Sequence, residues 1–142
     1  MVAIVAIFAA IAIPRASRGS KGGSETALVG DLRVLRGALD RYAAEHGGVY
    51  PTNKDIVKQL TRYSDLNGVT MTTKDDNHLL GPYLRSVPPL PVGQKRGATG
   101  IDEQSKAGSG GVGWIYDETT GAICANCTDT ELDSRDIRYN SY

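Results

Sequence analysis

A chain of 142 residues has room for one modest hydrophobic core and an appendage, not for two large domains. Sixteen Lys and Arg balance sixteen Asp and Glu, so the net charge gives no support to the concentrated positive surface that phosphate backbones require, and no nucleic-acid partner is expected. Seventeen glycines, one Phe and one Trp against seven Tyr suit a small, loop-rich domain better than a large enzyme core.

Residues 1–14, MVAIVAIFAAIAIP, carry no charged or polar side chain, and Arg15, Arg18 and Lys21 follow at once. Ala and Ile dominate, which predicts a helix. The thirteen apolar residues before Pro14 rise only ~20 Å as a helix, against a hydrocarbon core of ~30 Å. The length matches the apolar region of a secretory signal peptide, but no basic residue precedes it. Gly19-Ser20-Lys21-Gly22-Gly23 is poor in helix formers, and Pro14 lacks an amide donor. Pro14, Gly19, Gly22 and Gly23 therefore predict a weak or melted joint, with a continuous helix kinked at Pro14 as the alternative.

A second helix is expected from Ser24 to His46. Leu28, Leu32, Leu35, Leu39, Tyr42 and His46 recur at spacings of four and three, which places them on one face. Ser24 reads as its N-cap with Glu25 in the first turn, and Gly47-Gly48 stops it. Gly30 and Gly37, one heptad apart, would let a neighbouring helix approach closely.

The head begins after Tyr50-Pro51. A short helix is expected from Asn53 to Leu60, capped by Asn53. Asp65-Leu66-Asn67-Gly68 signals a turn, with VTMTT after it as an edge strand. SVPPLPV must be extended, since each Pro restricts itself and its predecessor. Residues 95–112 read as an exposed loop. Val112–Tyr116 and Gly121–Ala125 then predict a hairpin turning at Asp117–Thr120. A strand pair laid across the amphipathic helix gives an α+β head.

Two strings, AAIAIPRAS and DLRVLRGALDRYAAEHGGVYP, resemble the N-terminal half of type IV pilins and of type II secretion pseudopilins. The likeness is nearest to the major pseudopilins, whose helix ends in a similar pattern of tyrosine, acidic residue, glycine and Tyr-Pro. GPYLRSVPPLPVGQKRG and GVGWIYDETTGAICAN are similar to the loop and hairpin of such proteins. The resemblance implies a type IV pilin-like fold in three parts. Residues 1–23 would be the polymerisation and membrane helix with its joint, 24–48 the helix that packs on the head, and 49–142 the head. It also implies a polymerisation core of Ile4, Val5, Ile7, Phe8, Ile11 and Ile13. The expected partners are identical subunits, the inner membrane before assembly, a prepilin peptidase and a pilus or secretion assembly machinery. Family members begin, once processed, with a methylated phenylalanine and a glutamate four residues later, and neither is present here. Aligning Pro14 with the family's helix proline leaves about six to eight residues upstream of Met1, enough to bring the apolar run to the ~20 a membrane helix needs.

Candidate chemistry is sparse. In an exported head, Cys124 and Cys127 are expected as a short-range disulfide. Two thiols do not complete a zinc site, and Thr128 stands where haem attachment needs His. Asp129, Glu131, Asp133 and Asp136 form an acidic run, and major pseudopilins bind calcium in a C-terminal loop. The run does not match that loop residue by residue, so a solvated acidic turn is the first expectation and calcium the second. Gly108-Ser109-Gly110-Gly111 lacks the lysine of a phosphate loop, and Asn126-Cys127-Thr128 fits a glycosylation acceptor. With no nucleophile–base–orienter set, no enzyme activity is expected. Three functions follow: a subunit of an extracellular type IV pilus-like filament, a major pseudopilin of a periplasmic secretion fibre, or a secreted disulfide-containing binding module with a cleaved signal peptide.

Overall fold

The computed structural model describes residues 13–142, with side chains from Lys21 onward. A single helix, α1, spans Ile13–Glu45, a length of about 50 Å at 1.5 Å per residue. The expected joint is therefore not there: Pro14, Gly19, Gly22 and Gly23 all lie within α1. Proline removes its own donor and crowds the carbonyl four residues earlier, here that of residue 10, which lies outside the described residues. Each glycine costs about 1 kcal/mol relative to Ala, but extending a helix that already exists needs no new nucleus. For the same reason Ser24 is no N-cap; the helix runs straight through it. Among the described residues, no helix is long and apolar enough to cross a membrane.

The helix ends as its glycines dictate. Gly47 and Gly48 both take positive φ, and the Gly48 N–H donates to the Ala43 carbonyl at 2.7 Å, the six-to-one bond of a Schellman stop. The predicted stripe is the buried one: Leu28, Leu32, Leu35, Leu39, Tyr42 and His46 are all inside.

The head is α+β. After α1 come α2 (Ile56–Thr61), β1 (Tyr63–Ser64), β2 (Thr70–Met71), β3 (Gly100–Asp102), β4 (Val112–Asp117) and β5 (Ala122–Ala125), with 3-10 turns at Gln104–Lys106 and Tyr139–Ser141. α2 starts three residues later than expected, and Asn53 does not cap it; Asp55 holds the cap position without a side-chain bond. β1 and β2 pair antiparallel around a turn in which the Asp65 carboxylate accepts the N–H of Asn67 and Val69. The hairpin β4–β5 matches expectation, with Trp114 opposite Ala125 and Tyr116 opposite Ile123.

The expected loop at 95–112 conceals β3, which runs parallel to β4 with a register shift between Gly100 and Ile101. Ile101 buries its side chain there. The inner face of this three-stranded sheet, with Trp114, Tyr116, Ile123 and Ala125, closes over the α1 stripe together with Ile56, Leu60 and Leu90. Two polar contacts orient it: Trp114 Nε1–H donates to the half-buried Pro88 carbonyl at 2.9 Å, and the Tyr116 hydroxyl to the buried Pro51 carbonyl at 2.9 Å.

Candidate functional site

Three regions follow from the sequence: the helix surface, the cysteine pair and the acidic run. On α1, the face opposite the buried stripe is bare. A side chain added at Gly22, Gly23, Gly30 or Gly37 would meet nothing within 4 Å. Val34, between the last two, is 54% exposed, and Arg33 makes no ion pair among the described residues. Of the expected polymerisation core, Ile4, Val5, Ile7, Phe8 and Ile11 lie outside the described residues, and Ile13 begins α1.

The cysteines do not form the expected disulfide here: both are free thiols. Cys124 is held in the β4–β5 ladder opposite Ile115, and Cys127 lies beyond a tight turn against Gly93. Both border one hollow of about 550 Å³ on the outer side of the sheet. Burial pushes both thiols up, Cys127 to about 12 with help from the Glu131 carboxylate, so neither is an activated nucleophile. Asn126, the asparagine of the glycosylation pattern, is buried, and its Nδ2 donates to the Val112 and Ala107 carbonyls at 2.7 and 3.0 Å. Its amide fastens β4 to the 104–108 turn and is not presented for modification.

The acidic run is not brought to one point. Asp129 accepts from Asn140 Nδ2 at 2.9 Å and faces Arg138 at 3.4 Å. The Glu131 carboxylate instead accepts the N–H of Gln94 and of Thr128. Asp133 is 3% exposed and accepts the N–H of Arg135 and Ile137, the Arg135 guanidinium and the Tyr142 hydroxyl. Burial pushes its carboxyl up, but these donors, led by Tyr142, outweigh burial and hold it well below the usual carboxylate range. Asp136 occupies the left-handed position of the same turn. Among the described residues, no group of three His, Cys, Asp or Glu converges as a metal site.

What residue-by-residue reading missed is the clasp between this tail and α1. The Glu25 carboxylate accepts the N–H and hydroxyl of Ser134 at 2.9 and 2.8 Å. At the midpoint of the stripe, the Arg36 guanidinium donates to the Ile123 carbonyl and to the backbone oxygen of Tyr142 at 3.2 and 2.6 Å. No local pattern signals these bonds, since the partners are about a hundred residues apart in the chain. The two histidines are structural: His46 stacks on Tyr42 with its ring nitrogens near the Tyr42 and Asp65 carbonyls, and His78 pairs with Asp75 at 2.8 Å.

Comparison of the chain with family models, with curated proteins and with solved structures finds no match.

Proposed function

We propose that this chain is a structural subunit that polymerises through its apolar N-terminal helix into a type IV pilus-like extracellular filament. The observation that carries this reading is the division of labour along α1. One face is buried in the head from Leu28 onward, the opposite face is bare, and the helix runs unbroken back to Ile13, beside the wholly apolar residues 1–12. A run of twelve apolar residues ahead of a helix that is already embedded in a head calls for a burial site of its own.

Identical copies supply one. Ile4, Val5, Ile7, Phe8 and Ile11 exchange lipid for the same residues of neighbours, and the contact is head-to-tail and non-closing, so it propagates as a fibre. The bare glycines at 30 and 37 let neighbouring backbones approach. A pseudopilin of a secretion system shares this axis and differs in where the fibre ends, so imaging for long surface fibres separates the two.

The test is Ile7→Asp or Ile11→Asp in the full chain, expressed in cells that carry the assembly machinery. An unpaired carboxylate in a dry bundle costs several kcal/mol per subunit. Fibres should vanish in electron micrographs while Trp114 fluorescence still reports a folded head. Fibres of normal length from either variant would overturn the axis assignment.

A further inference from the structure

The filament reading leaves the thiol pair unused. We propose that Cys124 and Cys127 are a reversible redox latch on the C-terminal tail, reduced in the form described here and closed into an intrachain disulfide by exchange with a disulfide-bearing oxidant. This inference does not rest on the filament reading.

The geometry prepares the pair. In an uninterrupted strand, residues 124 and 127 would point to opposite sides of the sheet. The Cys127 N–H instead donates to the Ala125 carbonyl at 2.9 Å, a three-residue turn centred on Asn126. That turn brings the second thiol back to the hollow that the first one borders. The pivot is pinned: the Asn126 N–H donates to the Gly113 carbonyl at 2.9 Å, and its side-chain amide is anchored as described above. Cys124 is fixed in its ladder, so Cys127 is the partner that moves. The hollow, about 550 Å³, lies within the range that admits small molecules.

Oxidation proceeds by two exchanges. A thiolate of the pair attacks one sulfur of the oxidant's disulfide, whose S–S bond breaks; half of the oxidant leaves as a thiol and a mixed disulfide remains. The second cysteine's thiolate attacks that mixed disulfide and expels the other half. Two electrons and two thiol protons pass to the oxidant, and one intrachain S–S bond is left. Cys124 is the entry point, because the Arg36 charge favours its thiolate, whereas at Cys127 the Glu131 carboxylate opposes the thiolate and Lys95 offsets this only in part. Both thiols are held up by burial, so exchange is slow at neutral pH and accelerates with alkalinity.

Closing the bond has a mechanical consequence. Cys127 Sγ rests where a Gly93 side chain would stand, 2.7 Å from that position, and the Cys127 carbonyl accepts Asn140 Nδ2 at 3.1 Å. Drawing Cys127 toward Cys124 vacates the contact with Gly93 and pulls on the Glu131 carboxylate that bridges the Gln94 and Thr128 amides. The latch therefore reports on, and loosens, the junction between the 93–94 turn and the tail.

The experiment treats the full chain with oxidised glutathione at several pH values, followed by intact mass, thiol alkylation and hydrogen exchange. The expected product is a monomer that has lost two hydrogens and both alkylatable thiols, recovers them with dithiothreitol, and exchanges faster at Gln94 and Thr128. Cys127→Ser should stop at a glutathione adduct on Cys124. Thiols that remain alkylatable, an adduct that persists on the unaltered chain, a disulfide-linked dimer, or unchanged exchange at Gln94 and Thr128 would each overturn the latch. Fibre formation is not read in this experiment, so its failure leaves the filament proposal untouched.

Discussion

Leu35→Ala tests the claim that one face of α1 is core and the other is surface. Leu35 is 0% exposed and belongs to the cluster that contains Trp114 and Tyr116. The substitution removes three carbons, worth about 2–2.5 kcal/mol of transfer free energy. The incompletely collapsed cavity adds about 1–1.5 kcal/mol, for a loss of about 3–4 kcal/mol. With roughly 0.25 kcal/mol per degree of unfolding entropy for a head of this size, the melting temperature should fall by about 12–15 °C. The urea midpoint should fall by about 1.5–2 M. Trp114, the single tryptophan and fully buried, is the intrinsic reporter for urea titration by fluorescence. Val34→Ala, one residue away and 54% exposed, is the control and should stay within about 0.5 kcal/mol of the parent. Equal losses from the two variants, or a loss under about 1 kcal/mol from Leu35→Ala, would refute the assigned face.

Gly121→Ala should cost about 2 kcal/mol, because Gly121 sits at φ 73° and a Cβ there would lie 2.5 Å from the Tyr50 ring; an unchanged urea midpoint would show that the β4–β5 turn relaxes freely. The Asp133 carboxyl lies below its unfolded value in the folded chain, so its contribution to stability is present above about pH 4 and is lost as pH falls below that. Urea midpoints followed down the acid limb should show a shallower decline for Asp133→Asn than for the parent, and parallel curves would disprove the anchor. Burial raises the Tyr116 phenol well above its ordinary range, with the Glu118 charge adding to it. Ultraviolet titration should therefore show this ring ionising only as the head unfolds, and a Tyr116→Phe difference spectrum near pH ~10 would contradict its burial.

Much of the architecture is written in local pattern. The spacing of Leu28, Leu32, Leu35, Leu39 and Tyr42 defines a buried face because a helix repeats every 3.6 residues, and all five are inside. Gly47-Gly48 stops the helix because left-handed backbone costs glycine little. The β4–β5 hairpin was legible from two apolar runs around Asp117–Thr120, where the Asp117 carboxylate holds the turn through Thr119 and Thr120.

Other features depend on partners distant in the chain. β3 is three residues in a Gly- and Lys-rich stretch, and only the exposed edge of β4 gives it hydrogen bonds and a place to bury Ile101. Whether Pro14 and the glycines break α1 is a balance between propensity and helix propagation, and composition alone suggests the wrong side of it. The acidic run reads as a cluster, yet the fold gives each carboxylate its own donors, with Asp133 turned inward to Arg135 and Tyr142 and Glu131 reaching back to Gln94. Sequence determined which residues prefer helix, turn and interior. Tertiary structure decided which distant group each polar side chain meets, because burying a charge is favourable only where opposing donors already stand.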